Sequence, residues 1–513
     1  MSHFNPTTEG YRFDKTSGLK TGFASEGAIR PTQYRSRHSQ NRFDTIIVGA
    51  GYTGLIAARD LTNAGQNVLL VEARDRIGGR TWTAQHNGAT YEMGGTWIHH
   101  TQGFTWRELC KYGIDQDLII TPNREYPDHY KMTVKVDDET WIMQPEQNDQ
   151  VLDAALIKFC DIDGLGGHGV LAIPAHVTKG PFVKPELTAK YDRMSVQDRL
   201  DEVKAAGILD DFELKCLAPW MSRKFGARLD KCSFLEMIRW SLNGNGISSY
   251  LGTMTGKFKL RDGQSHFARV IFDDAFSTEN LSYVFDAPVS KIVDRNGGVE
   301  VFTSKGSFKG AKILVTTPIN VTNKIEFDPP VPRLRQEACE IGHVNFGHKI
   351  HSIFNKPNFR SAAWSAFGYK ERVHLMSASG DQIIDNGKKS VVVAFGADNA
   401  DPQNVPSKDP SKIQQWMGVM DPALGKEYQG SVWHEWVVDP YSKGTWCMYP
   451  PGFYLKYYHE LQKPHGNVEW ASSDYAVSGW KGFIDGAIAE GTRSADVLIK
   501  EWRQRKKSQA SRL

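Results

Sequence analysis

The sequence predicts an α/β protein of two joined domains: a discontinuous, Rossmann-like dinucleotide-binding domain, and an α+β domain built from the intervening segments. Three observations predict this. Residues 43–72 spell a complete strand–turn–helix–strand unit with a glycine-rich turn. Short apolar strands return between Leu281 and Val315. The stretch from Met194 to Ala227 is instead patterned for helix. At 513 residues the chain is also too long for one compact core.

Taken in order, residues 1–40 are polar and rich in Gly, Thr, Ser and Arg. They contain no apolar run of the kind found in a secretory signal, and Glu9, Asp14 and Glu26 interrupt any mitochondrial presequence. The expectation is an extended arm on the surface. Then comes Phe43-Asp44-Thr45-Ile46-Ile47-Val48-Gly49-Ala50-Gly51-Tyr52-Thr53-Gly54. Ile46 to Val48 read as a buried strand. Gly49, Gly51 and Gly54 give a tight turn, close backbone approach to a pyrophosphate and close helix–strand packing. A helix from Thr53 to about Asn63 aims its first N–H groups, near Tyr52 and Thr53, at the phosphates. Val68 to Val71 form the second strand, and Glu72 at its tip is placed to accept from a ribose diol.

Further along, Leu152 to Asp161 read as a helix. Gly164-Leu165-Gly166-Gly167-His168-Gly169 repeats the glycine spacing, but neither a buried strand precedes it nor a helix follows, so it reads as a loop. A second nucleotide site is therefore not expected. Ser195 is a helix N-cap, with Val196, Leu200 and Val203 on one helical face. Strands return at Leu281–Phe285, Val289–Val293, Val299–Phe302 and Ile313–Val315, with Asn296-Gly297-Gly298 as a hairpin turn. Thr316 and Pro318 follow a strand end. His343 to His351 begins a further strand, on which His348 and His351 point to opposite faces, so no metal pair is expected there.

Hydrophobic residues make up 40% and charged residues 24%, the balance of an ordinary globular protein. A net charge of +3 gives no reason to expect nucleic acid. No apolar run reaches the roughly 20 residues of a membrane span. Six unpatterned cysteines, at 110, 160, 216, 232, 339 and 447, point to a reducing compartment and to neither a disulfide framework nor a zinc site. Asn280-Leu281-Ser282 and Asn320-Val321-Thr322 match the glycosylation sequon and are read as chance matches.

Several segments together resemble the FAD-dependent monoamine oxidase family, and within it the fungal peroxisomal enzymes. They are the fingerprint; Glu72-Ala73-Arg74-Asp75-Arg76-Ile77-Gly78-Gly79-Arg80-Thr81; Tyr91-Glu92-Met93-Gly94-Gly95-Thr96-Trp97-Ile98-His99; Lys443-Gly444-Thr445-Trp446-Cys447; and Gly482-Phe483-Ile484-Asp485-Gly486-Ala487 running on to Gly491. The resemblance covers nearly everything beyond the first 40 residues. It implies an amine oxidase-like, two-domain FAD-binding fold. Residues 41–120, 253–330 and 436–510 fall to the FAD domain, and residues 121–252 and 331–435 to the substrate domain.

The resemblance also implies roles. Ala73, Arg74, Gly79, Arg80 and Thr81 join the fingerprint in holding FAD, with Arg80 favoured for phosphate oxygens. Gly94, Gly95, Thr96 and Trp97 lie beside the flavin ring, the backbone at Val289 holds the adenine, and Thr316, Trp436, Asp474, Gly482, Phe483 and Ile484 complete the site. Trp446 and Phe483 form an aromatic cage whose ring faces meet the amine nitrogen. Lys349 stands near the reactive edge of the flavin, where a cation stabilises charge as oxygen is reduced. The mammalian enzymes bind flavin through a cysteine just before the cage aromatic; here that residue is Thr445, so non-covalent FAD is expected.

The implied reaction takes a primary amine, O2 and water to an aldehyde, ammonia and hydrogen peroxide. A polyamine or L-amino-acid oxidase, and a non-catalytic FAD-fold protein, remain as alternatives. A homodimer is common in the family. Ser511-Arg512-Leu513 is close to the peroxisomal Ser-Lys-Leu address, which implies a peroxisomal import receptor as partner.

Overall fold

The computed structural model describes residues 4–36, 42–122, 131–176, 180–295, 297–367, 374–397 and 405–510. Asn296 of the expected hairpin turn and the tripeptide 511–513 lie outside these residues. Among the described residues most strands fall into a nine-stranded and an 11-stranded sheet.

The nine-stranded sheet has a parallel centre. The fingerprint strand Arg42–Val48 lies between Val68–Val71 and Gly306–Val315, with Leu281–Val284 beyond. Ile46 is level with Leu69 on one side and Ile313 on the other. These strands are continuous apolar runs because both faces are covered, and Ile46, Ile47, Leu69, Leu70, Ile313 and Leu314 are fully buried. The fingerprint helix, Tyr52–Asn63, packs against the helices Gly263–Ser277 and Ile484–Ala510. Val289–Arg295 and Gly298–Thr303 pair antiparallel as the expected hairpin.

The 11-stranded sheet corrects one expectation. Residues 4–36 are not the expected surface arm, and the rest of the 1–40 stretch lies outside the described residues. Asn5–Asp14 and Gly18–Ser25 form a hairpin inside this sheet: Tyr11 pairs with Trp433, and Ala24 with Gln85. Gln33–Tyr34 adds a short edge to the other sheet. The hairpin therefore joins the strand Tyr428–Trp433 to the hairpin Thr83–His86/Ala89–Glu92, and one sheet runs through segments assigned to both domains. His348–Phe354, which carries Lys349, is a central strand between Lys389–Gly396 and Tyr428–Trp433.

The helical part follows its local signals. Ser195 and Asp198 form a reciprocal capping box at the start of Val196–Ala205, with Val196, Leu200 and Val203 buried. The expected Leu152–Asp161 helix is Pro145–Cys160. The second glycine-rich string is a loop, held by the Asp163 carboxylate. It accepts from the backbone N–H groups of Leu165 (2.9 Å), Gly167 (2.9 Å) and Gly169 (2.6 Å).

The hairpin's place depends on Glu9. Its carboxylate pairs with Arg74 and with Arg76 (2.6 Å), and both arginines are buried. Burial alone would raise the Glu9 carboxyl. Arg76 and Arg74 outweigh it and bring the group from 4.5 to about 2. A lowered folded value contributes stability that is present above pH 4.5 and lost as pH falls through about 2. Glu9→Gln is expected to cost about 3–5 kcal/mol, because it leaves buried guanidinium charge undercompensated. It should also flatten the acid limb of the stability curve. Thermal unfolding across that pH window checks both, and a variant with the wild-type acid limb contradicts the assignment.

Candidate cofactor and substrate site

The C-terminal ends of the parallel strands open into a cavity of ≈ 550 Å³ that continues into the second domain. Its first part is the fingerprint turn. Gly49 has φ +108°, and a Cβ there would lie 2.5 Å from the Thr316 hydroxyl. Gly51 and Gly79 approach so closely that a Cβ on Gly79 would lie 3.2 Å from the Gly51 Cα. These bare backbones and the N-terminus of the helix Tyr52–Asn63 form a cradle for a pyrophosphate. Gly54 has a packing role instead: a Cβ there would meet the Gly49 carbonyl oxygen at 1.9 Å.

Glu72 is buried at the tip of its strand. It accepts from the backbone N–H groups of Ala50 (2.6 Å) and Arg74 (2.9 Å). Burial pushes its carboxyl up, opposed by those N–H groups and by Arg74. Arg74 forks onto Asp439 with two 2.7 Å bonds. Arg76 lies fully buried over the Trp82 ring (4.7 Å). Arg80 lines the cavity. It donates to the Thr445 carbonyl (2.7 Å), the Ser473 hydroxyl (3.1 Å) and the Asp474 carboxylate (2.6 Å). Asp474 stands behind this wall, fully buried, and also accepts from the Ile319 N–H (2.9 Å). Despite burial, Arg80 holds its carboxyl below the ordinary range.

Gly94, Gly95, Thr96 and Trp97 form the next stretch of wall, with Lys349 beside them. Lys349 Nζ donates to the Gly94 carbonyl (3.1 Å) and the Thr96 hydroxyl (2.5 Å), and sits 5.1 Å from the Trp97 ring centroid. Burial pushes the Lys349 ammonium down and the Glu92 carboxyl up, and their mutual attraction offsets part of each shift. Trp436 lines the cavity and donates its indole N–H to the Met93 carbonyl (2.9 Å). Trp446 and Phe483 line the same chamber; Trp446 donates to the Lys224 carbonyl (3.0 Å), and Phe483 packs on Trp240 and Trp480.

The segment before Phe483 is anchored by buried charge. Lys481 Nζ pairs with Glu236 (2.6 Å) and lies over the Tyr449 ring (3.6 Å), while Arg239 takes the other Glu236 oxygen (2.7 Å). Burial opposes the Glu236 charge, but Lys481 and Arg239 hold its carboxyl at about 2. Among the described residues no group of His, Cys, Asp and Glu is arranged to hold a metal ion.

Every residue singled out from the sequence lines this cavity except Gly54 and Asp474, which stand directly behind it: Gly49, Gly51, Tyr52, Thr53, Glu72, Ala73, Arg74, Gly79, Arg80, Thr81, Gly94, Gly95, Thr96, Trp97, Val289, Thr316, Lys349, Trp436, Trp446, Gly482, Phe483 and Ile484. Sequence reasoning missed Trp240, Arg223, Lys224 and the buried charges Glu92, Glu236 and Lys481. Glu92 directly precedes the Met93-Gly94-Gly95 turn, which was the one signal available for it.

The flavin containing amine oxidoreductase family matches residues 52–499, and the chain belongs to that family. A pseudooxynicotine dehydrogenase of a Pseudomonas species is 26% identical over 475 residues, covering 91% of this chain and 88% of the relative. A flavin-containing amine oxidase of Oncorhynchus mykiss is 24% identical over 483 residues, covering 90% and 87%. Among solved structures, cyclohexylamine oxidase of Brevibacterium oxydans IH-35A superposes with a TM-score of 0.70 at 19% identity, covering 90% of this chain and 100% of that one. Putrescine oxidase bound to putrescine gives 0.70 at 20%, covering 90% and 99%. These two likenesses show the fold. No helix among the described residues is long and apolar enough to cross a membrane.

The cofactor is FAD, and the residues fit it. The glycine cradle meets a pyrophosphate, Glu72 keeps carboxylate lone pairs for a ribose, and Gly94–Trp97 line the same cavity further along. Asp474→Asn removes the charge that orients Arg80. It should weaken FAD binding about tenfold, read from flavin fluorescence on titration into apoprotein. An unchanged dissociation constant would refute the positioning role.

Proposed function

We propose that this protein is a flavin-dependent amine oxidase, of the kind found in fungal peroxisomes, that converts a primary amine, O2 and water to an aldehyde, ammonia and hydrogen peroxide. One observation carries the reading. Lys349, Trp446 and Phe483, from three distant parts of the chain, line a single chamber with Gly94–Trp97. Bound FAD supplies the acceptor for the two electrons of an amine C–H bond. The chain supplies the surroundings. Trp446 and Phe483 present ring faces to the amine nitrogen and confine it in a dry space. The Trp446 ring is fixed by its indole N–H on the Lys224 carbonyl and the segment before Phe483 by the Glu236–Lys481 pair, so the walls hold their place as the amine enters. Lys349 Nζ, tethered to Gly94 and Thr96, is positioned to hold a proton and stabilise negative charge on dioxygen.

The FAD is held without a covalent bond in this proposal. Thr445 occupies the position of the cysteine that bonds flavin in the mammalian enzymes. Cys447 lies two residues further on and is fully buried, its Sγ 3.3 Å from the Asp474 carbonyl and 3.7 Å from Lys481 Nζ. Burial pushes its thiol far up. Delivery to peroxisomes through Ser511-Arg512-Leu513 is a further part of the proposal and rests on the tripeptide alone.

Mixing the yellow holoenzyme with amine in the absence of air should bleach the flavin. A spectrum unchanged by every alkyl and aryl amine tried would overturn the reading. Trp446→Ala should lower kcat/KM for amine by about 10–100-fold with FAD still bound, and wild-type kinetics would remove Trp446 from the chamber's work. In stopped flow, Lys349→Met should slow reoxidation by oxygen more than reduction by amine. The reverse order contradicts its assignment.

A further inference from the structure

Behind the wall that holds Lys349 lies a carboxylate with one oxygen unspent. Glu92 ends the strand Ala89–Glu92, is buried, and stands outside the cavity lining. Its Oε1 accepts from the Thr83 hydroxyl (2.9 Å) and from the backbone N–H of Gln264 (2.9 Å), at the N-terminus of the helix Gly263–Ser277. That approach needs a glycine: Gly263 has φ +82°, and a Cβ there would lie 2.5 Å from Glu92 Oε1. Gln264 reaches on to the wall and donates its side-chain N–H to the Thr96 carbonyl (2.9 Å). Lys349 Nζ donates to the hydroxyl of the same Thr96. Glu92 Oε2 is buried and, among the described residues, has no hydrogen-bond partner.

Capping the helix uses one oxygen, and a neutral amide oxygen would serve it. The second oxygen is what a cap leaves unexplained. A buried carboxylate is tolerated when a cation answers it, and the neighbouring groups divide clearly. Asp381 pairs with Lys259, which holds its carboxyl below the ordinary range despite burial. His351 shares the strand face of Lys349 and donates its Nε2–H to the Glu92 carbonyl (2.9 Å). Burial pushes its ring down to about 3 and so keeps it neutral. Tyr52, whose hydroxyl donates to the Gln264 side chain (2.6 Å), is pushed well up by burial and is neutral too. Lys349 is the cation that acts most strongly on Glu92, and Glu92 the acid that acts most strongly on Lys349.

We propose that Glu92 is a positioning residue for the reaction with oxygen: from behind the wall, its carboxylate supplies the counter-charge that keeps the buried Lys349 an ammonium. The proposal rests on the amine-oxidase reading and gives Lys349 the partner its work requires. Burial favours a neutral Lys349, so loss of the Glu92 charge releases the ammonium proton at lower pH. Loss of the Lys349 charge leaves Glu92 to burial, and its carboxyl then keeps a proton to higher pH.

The test uses holoenzyme of equal flavin content. In stopped flow, reoxidation of the wild type by oxygen should slow as pH rises and Lys349 loses its proton. Glu92→Gln keeps an oxygen for Thr83 and Gln264. It should move that limb down by about 1–2 pH units, while changing reduction by amine less. Glu92→Asp, which keeps the charge, should restore most of the shift. A second reading is independent of turnover. In infrared spectra titrated over pH, the protonated-carboxyl band that Glu92→Gln removes should persist to higher pH in Lys349→Met than in the wild type. Where Glu92→Gln folds poorly, Glu92→Asp identifies the same band by its change of frequency. A purely capping role moves neither reading. No limb in the wild type, a limb unmoved in Glu92→Gln, or a Glu92 band unmoved in Lys349→Met overturns the counter-charge. A reduced wild-type flavin that oxygen does not reoxidise overturns the amine-oxidase reading itself.

Discussion

The structure depends on charge buried behind the dinucleotide turn. Arg74 and Arg76 leave the tip of the strand Val68–Val71 and turn inward, where a guanidinium is tolerated only when paired. Their partners come from far away in sequence. Glu9 arrives on the N-terminal hairpin and Asp439 on the segment after Trp436. His434 donates its Nε2–H to the same Asp439 carboxylate (2.7 Å). Arg74, caught in the middle, also donates its backbone N–H to Glu72. The acid placed for the ribose is thus held by a network that reaches both sheets. This is why a polar N-terminal stretch forms central strands: its carboxylate completes the charge balance of the cofactor domain.

A second buried ion network does the same at the reactive end. Glu236, Lys481 and Arg239 join a helix of the second domain to the segment that begins Gly482-Phe483. Arg239 also donates to the Gly479 carbonyl (2.9 Å). Replacing such a network by apolar groups is often neutral for stability, so its value here is read in position. It sets the Phe483 backbone relative to Trp446, whose own N–H is fixed by Lys224. The two aromatic walls are therefore oriented by polar contacts made away from their ring faces.

What the sequence revealed follows from range. Gly49, Gly51, Gly54 and Glu72 were legible because the turn's requirements act over a few residues. Ser195 was legible for the same reason, since a capping box is complete within four positions. Arg76 was not. Its burial depends on Glu9, 67 residues away, and nothing local to Arg76 announces it. The strand Asn5–Asp14 was missed because its own pattern is too polar to read as sheet, and one of its two partners, Tyr428–Trp433, is remote in sequence. Trp446 and Phe483 were found through the motifs they belong to. Trp240, Arg223 and Lys224 lie in no such motif and became visible only when the helices carrying them were placed against the cavity.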